Sequence, residues 1–215
     1  MDQATGILWD MDGVLTSTGE FHFLAWSQTL ADYDIPFSRD QFTATFGMNN
    51  AQILQILLGE TADQVLVAKI GDKKEERFRQ AVQGHARLLP GVSEWLNRFQ
   101  GWGFRQAIAS SAPPANIKVL VDDLGIRSFF DAVVSGADIP GKPDPAVFLN
   151  AARMIEVPPQ RCVVIEDAIA GVEAAKRGGM KCVAVTTTNP PEALARADIV
   201  VERLDRLSVQ AFKGL

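Results

Sequence analysis

No basic run interrupts this chain: 21 lysines and arginines are outnumbered by 26 aspartates and glutamates, for a net charge of −5. A balance of that sign argues against nucleic acid or an anionic membrane as a partner. No apolar stretch approaches the ~18 residues that a membrane span needs. The opening MDQATGIL has neither the basic start nor the long apolar core of a secretory signal. Cysteine is scarce, with Cys162 and Cys182 each inside an apolar run, RCVVIED and KCVAV. Two such thiols make neither a disulfide framework nor a zinc site, so buried free cysteines are expected. Internal repeats and low-complexity segments are also missing. These absences point to a globular protein, expected in the cytoplasm as a monomer, with no nucleic-acid or membrane partner.

What the chain does have is apolar content in short pieces. Hydrophobic residues fill 47% of its 215 positions, enough for one sizeable core and a smaller accessory unit. Five runs, GILWD, FRQAIAS, DAVVSG, RCVVIED and KCVAVTT, read as strands buried on both faces. Helical patterns lie between the later ones. PPANIKVLVDDLG opens on proline, carries Ile117, Leu120, Val121 and Leu124 on one side, and stops at Gly125. AIAGVEAAKRGG spaces Ile169, Val172 and Ala175 helically and ends on glycine. Such alternation predicts an α/β fold with an open parallel sheet.

One segment breaks the rhythm. From about Glu20 to Leu88 the patterns are helical throughout: EFHFLAWSQTLADY, SRDQFTATF, NNAQILQILLG and TADQVLVAKIGDKKEERFRQAVQGHARLL. The expected organisation is a core of residues 1–16 and 89–215 carrying a small all-helical cap, residues 17–88. Its hinges would lie at Thr16 to Gly19 and Leu89 to Gly91. Within the cap, DKKEERFR reads as a solvated helix face, and Phe21, Phe23 and Trp26 as mostly cap core with part lining the cleft.

The chemistry collects at strand ends, where open α/β sheets bind their ligands. The first strand ends in Asp10-Met-Asp12, the second in Ser110-Ser111 and the fourth in Glu166-Asp167; Lys142 follows the third, in GKPDP. Four acids at one edge repel one another unless a cation is bound, and oxygen donors of this kind suit Mg²⁺. A cation beside a lysine would cradle a phosphoryl group. Asp10 is then placed as a nucleophile that forms an aspartyl-phosphate. Asp12, two residues on and so on the same side of the strand, can serve as general acid and then base. Gly13 allows the backbone to turn sharply away. Ser110 shares its position with Ser111, and Glu166 reads equally as a metal ligand and as a surface acid.

Taken in order, Asp10-Met-Asp12-Gly13-Val14, Ser110, Lys142 and Glu166-Asp167 resemble the four motifs of the haloacid dehalogenase-like superfamily. The resemblance covers essentially the whole chain. The helical segment after the first motif is similar to the cap of the β-phosphoglucomutase-like and phosphoglycolate-phosphatase-like subgroup. The resemblance implies a Rossmann-like core and Mg²⁺ held by the Asp10 carboxylate, the Asp12 backbone carbonyl and Asp167, with Glu166 beside them. It also implies that Ser110 and Lys142 hold the phosphoryl oxygens. The second aspartate speaks against carbon–halogen cleavage, because superfamily members with that activity lack it.

His22, in EFHFLAW, resembles a mutase histidine that couples cap closure to the general acid; a histidine satisfied in the hinge is the plainer reading. Other positions depart from the mutase pattern. Asn50 stands where mutases carry a cationic clamp for the substrate's second phosphate, and Ala168 follows Asp167. A mutase must hold a bisphosphate by both ends, whereas a hydrolase needs one phosphate site and a water. The expectation is therefore a Mg²⁺-dependent phosphatase of a small phosphorylated metabolite. A sugar-phosphate mutase, with Lys73 or Lys74 as replacement clamp, is the alternative, and a phosphometabolite-binding pseudoenzyme the third reading.

Overall fold

The structure, a computed structural model, describes residues 6–59 and 61–215. Residues 1–5, read above as the start of the core and as part of a segment without signal character, lie outside them. Among the described residues, six strands form one parallel sheet: β1 (Gly6–Trp9), β2 (Arg105–Ser110), β3 (Ala132–Ser135), β4 (Cys162–Glu166), β5 (Lys181–Val185) and β6 (Ile199–Val201). Their spatial order is β3-β2-β1-β4-β5-β6. The chain builds outward from β1 through β2 to β3, then returns to lay β4 on the other side of β1. That reversal opens a crevice beyond the carboxyl ends of β1 and β4. β6 was not expected from the sequence: three half-buried residues are too short and too wet to stand out as an apolar run.

Both faces of the sheet are covered, and the strand period decides which residue meets which layer. Ile7 and Trp9 of β1 share a cluster with Ile108, Ile165 and Val183. It packs under α5 (Val92–Gly101), α6 (Pro114–Leu124) and α9 (Val209–Lys213) through Trp95, Phe99, Ile117, Leu120 and Phe212. Leu8 belongs to the opposite layer with Ala107, Ala109, Val164 and Ala184, against α7 (Ala146–Met154) and α8 (Ile169–Arg177). Cys162 and Cys182 are buried here as free thiols, and burial pushes Cys162 up to about 12. Such thiols are inert at neutral pH. Ile169, expected on the buried side of its helix, is instead 53% exposed, and Val172 and Ala175 carry the packing.

Between β1 and α5 lie α1 (Gly19–Ala31), α2 (Arg39–Thr45), α3 (Asn50–Leu58) and α4 (Gln64–Val82). Capping boxes start α2, from Ser38 with Gln41, and α3, from Asn49 with Gln52. The insert has its own apolar cluster, Trp26, Leu30, Phe42, Ile53, Leu54 and Ile70, with Phe23 packed against it. Phe21 instead packs against the sheet cluster, which Phe78 and Val82 of α4 also join. No helix among the described residues is long and apolar enough to cross a membrane.

The charged run DKKEERFR is not simply a solvated face. Lys74 and Glu75 are 2% and 5% exposed, in line with Ile70, Gly71, Phe78 and Val82 on the buried side of α4. Helical spacing aligns them there, and α1 and α6 both contact α4 and shut out water.

Candidate active site

The crevice beside β1 collects residues from distant parts of the chain. The Asp10 amide donates to the Ile165 carbonyl at 3.0 Å, so the β1–β4 ladder runs on to the first acid. Gly13 follows at φ +87°, and a Cβ there would strike the Asp167 carboxylate. Glycine is thus required twice, for the left-handed turn and for the close approach of Asp167. Gly171 opens space in the same way for Glu166.

Carboxylate oxygens of Asp10, Glu166 and Asp167 all lie within 4.8 Å of one another, and all three residues are buried. The Lys142 ammonium, 1% exposed, donates to Asp10 Oδ1 at 2.6 Å and to Glu166 Oε1 at 2.5 Å. The second Glu166 oxygen accepts from the amides of Asp167 at 2.5 Å and Ala168 at 2.7 Å. Glu166 is fully buried. The surface-acid alternative is therefore wrong, because β4 carries this residue into the sheet interior. Thr188 donates to the Asp167 carboxylate, and Asn189 Nδ2 to its carbonyl at 3.0 Å. Neither was singled out from the sequence, although TTTNP follows a strand and so occupies the same edge.

Three carboxylates against one ammonium leave the centre with excess negative charge. Burial pushes Asp10 up to about 7 against the pull of Lys142, and burial with the neighbouring acids Glu166 and Asp10 raises Asp167 well above the usual carboxylate range. Burial opposes the Lys142 charge, but Asp10 and Glu166 hold it above the ordinary lysine value. An oxygen-only donor set with this surplus fits a hard divalent cation such as Mg²⁺. A stability prediction follows. Asp10 has a folded value of about 7 against an ordinary 3.8. Its contribution is complete below the lower value and lost as pH rises through the upper one. A cation that neutralises the centre cancels this loss. Melting temperatures in Mg²⁺ and in EDTA should nearly coincide at about pH 4 and separate up to about pH 7; a gap independent of pH would contradict the assignment.

Asp12 looks elsewhere. Its carboxylate accepts from the Thr18 hydroxyl and lies 3.2 Å from His22 Nε2. His22 Nδ1 is 2.9 Å from the Lys74 ammonium. An ammonium only donates, so Nδ1 accepts and Nε2 carries the proton toward Asp12. Burial and Lys74 keep His22 below its ordinary value and hence neutral. Although burial opposes it, His22 and Thr18 hold Asp12 below the usual carboxylate range. The His22 ring stacks on Phe78 with centroids 3.8 Å apart. His22 thus joins α1, α4 and the β1 loop.

Asp10, Asp12, His22, Asn50, Ser110 and Ser111 all border one cavity of about 50 Å³, lined on the insert side by Trp26, Phe42 and Phe46. Ser110 Oγ accepts from the Ala112 amide at 3.1 Å, whereas Ser111 Oγ donates across to Gly47 of the insert at 2.8 Å. The two serines therefore have different partners. Gln52 Nε2 donates to the Lys142 carbonyl at 3.3 Å, a second contact from insert to sheet edge. Asn50 Nδ2 donates to Glu75 Oε1 at 2.7 Å. Lys73 borders an outer groove, not this cavity, and pairs with Asp32 at 2.6 Å. Thr18, Gln52 and Glu75 were missed in the sequence: the Asn49-to-Gln52 capping spacing marks the second, and nothing local marks the others.

A doubly wound parallel sheet with an acid-and-lysine centre at its topological switch point, roofed by a helical insert, defines a class of Rossmann-like α/β enzymes. Within that class the chain belongs to the haloacid dehalogenase-like hydrolase family, whose model matches residues 4–179. It is 37% identical over 170 residues to a chloroplastic 5-amino-6-(5-phospho-D-ribitylamino)uracil phosphatase of Arabidopsis thaliana. That match spans 79% of this chain but 46% of the relative, so the chain corresponds to about half of that protein. It is also 32% identical over 212 residues to the β-phosphoglucomutase of Bacillus subtilis, covering 95% of this chain and 92% of that one. The crystal structure of a β-phosphoglucomutase from Clostridium difficile superposes with a TM-score of 0.89 at 23% identity, over 99% of this chain and 96% of the other, a likeness of fold.

Proposed function

We propose that this protein is a Mg²⁺-dependent phosphatase of a small, sugar-like phosphomonoester. The observation that carries the reading is one cavity bordered by two acids in different electrostatic settings. Asp10 lies in the carboxylate centre beside Lys142, and Asp12 stands apart from it, bonded to His22 and Thr18. Such divergence separates nucleophile from proton carrier. An Asp10 oxygen attacks phosphorus, the bond to the leaving oxygen breaks, and a protonated Asp12 supplies that oxygen with its proton. Water then attacks the aspartyl-phosphate, giving its proton to Asp12 and releasing Asp10. The low Asp12 value suits this second, base-requiring step. Ser110 and the Lys142 ammonium hold the phosphoryl oxygens. Asp10, Asp167 and the Asp12 carbonyl, with Glu166 beside them, would hold Mg²⁺, which supplies charge neutralisation for the phosphoryl group. Helices α1–α4 act as the cap, covering residues 17–88, whose closure excludes bulk water.

Hydrolysis is favoured over mutase chemistry because, among the described residues, the insert presents no unpaired cation to the cavity: Lys74 is paired with Glu75, and Asn50 is neutral. The test is phosphate release from a panel of hexose and pentose monophosphates in Mg²⁺. Release should need no bisphosphate primer and should stop in EDTA. Conversion of β-glucose 1-phosphate to glucose 6-phosphate with negligible phosphate release would select the mutase instead.

A further inference from the structure

The distal wall of the cavity carries a buried ion pair that the phosphoryl chemistry does not use. Lys74 and Glu75, adjacent on α4, both border it. Glu75 Oε1 accepts from Lys74 at 2.8 Å and from Asn50 Nδ2 at 2.7 Å, and Oε2 accepts from Asn116 Nδ2. Groups from α3, α4 and α6 therefore fix this carboxylate. An ionised carboxylate has about four acceptor directions, and three are taken. One remains. Burial opposes its ionisation, but Lys74 holds Glu75 below the ordinary glutamate value.

The position matters as much as the charge. Asn50, Glu75, Ser111 and Pro113 border both this cavity and a larger groove of about 1070 Å³ along α4. The two spaces meet at these residues, so a leaving group that extends from the cavity into the groove passes Glu75. Lys74 is balanced by Glu75 and lies over the Trp26 and Phe78 rings, at 5.2 and 5.4 Å. Arg79 donates to Asn116 at 3.0 Å.

We propose that Glu75 is a specificity-determining residue: it admits phosphomonoesters whose leaving group brings hydroxyl or amino groups to this wall, and rejects those bringing a second phosphate or a carboxylate. The proposal rests on the phosphatase reading and names its substrate class, polyhydroxylated esters that are neutral or cationic beyond the phosphate. A hydroxyl or ammonium donates to the open acceptor direction of Glu75. A second anion meets, in a site of reduced dielectric, a carboxylate whose open direction accepts and cannot donate. Exclusion of this kind discriminates more sharply than a missing contact does.

The test compares ribitol 5-phosphate and glucosamine 6-phosphate with fructose 1,6-bisphosphate and 6-phosphogluconate, on the full chain with Mg²⁺. Wild-type kcat/KM should favour the first pair by about 100-fold or more, through KM rather than kcat. Glu75→Gln should narrow that preference at least about tenfold, and Glu75→Asp should keep most of it. A loss of fold in Glu75→Gln leaves the wild-type comparison decisive: equal use of all four esters overturns the proposal. An unchanged preference in a folded Glu75→Gln protein does the same. Equilibrium binding with Ca²⁺ in place of Mg²⁺ separates this inference from the phosphatase reading. If no ester is hydrolysed but the first pair binds more tightly in a Glu75-dependent way, hydrolysis fails and the specificity stands. Equal binding of all four, or none, ends the specificity proposal.

Discussion

Asp10→Asn should lower phosphate release by about ten-thousandfold or more while leaving the protein folded. An amide oxygen is a poor nucleophile, and an amide is a weaker partner for a hard cation than a carboxylate. The substitution is nearly isosteric at a site bounded by Lys142, Glu166 and Asp167. It also removes one negative charge from a centre that carries too many. Burial already pushes the Asp10 carboxyl up to about 7, so a neutral side chain relieves strain in the metal-free protein. The expected pair of results is a melting temperature in EDTA equal to or above that of the wild type, with turnover lost. Inactivity then cannot be put down to unfolding. Retention of more than about a hundredth of wild-type turnover, in protein shown by mass to keep the amide, would falsify the nucleophile assignment.

The second large effect belongs to Lys142. Lys142→Met keeps the length of the side chain but leaves two buried carboxylates, Asp10 and Glu166, without their shared ammonium. Stranding partners of a buried ion pair costs about 3–5 kcal/mol, and the site also loses a donor to the phosphoryl oxygens. Turnover should fall by about a thousandfold, and the melting temperature in EDTA should drop by many degrees, with partial recovery in Mg²⁺. The recovery is informative because a cation can replace the missing positive charge but not the hydrogen-bond geometry. Lys142→Arg should not restore activity: a planar guanidinium does not fit a pocket closed around a compact ammonium, with Phe148 4.9 Å below it. Turnover of Lys142→Met within about tenfold of wild type would remove Lys142 from the machinery.

Much of the fold could be read from the chain alone because its signals are local. An apolar run such as RCVVIED declares a strand buried on both faces, and proline before and glycine after NIKVLVDDL declare the ends of a helix. The structure has α6 from Pro114 to Leu124, with Gly125 left-handed at φ +65°. The candidate site was legible for the same reason. Carboxylates at the end of an apolar strand have no packing purpose, so Asp10, Glu166 and Asp167 stand out wherever the sheet later puts them. β6 did not stand out, since Ile199, Val200 and Val201 are half-buried and only three long. Lys74 and Glu75 did not either, because a buried ion pair and a solvated one look identical in the run DKKEERFR.

The sequence by itself determined the alternation of strands and helices, the helical break after the first strand and the residue types at each strand end. These depend on period and punctuation within a few residues. Only the tertiary structure decided which of those residues meet. Lys142 and Asp10 are 132 positions apart and become partners because β1 lies between β2 and β4 in the sheet. Asp12 parts from Asp10, two residues away, because Thr18 and His22 claim its carboxylate. Glu75 becomes a fixed charge in the cavity wall because α3 and α6 bring Asn50 and Asn116 to it from either side. Pairings of that kind depend on how whole elements pack, and a side chain's partners at long range are set by shape and burial that no local window of the chain contains.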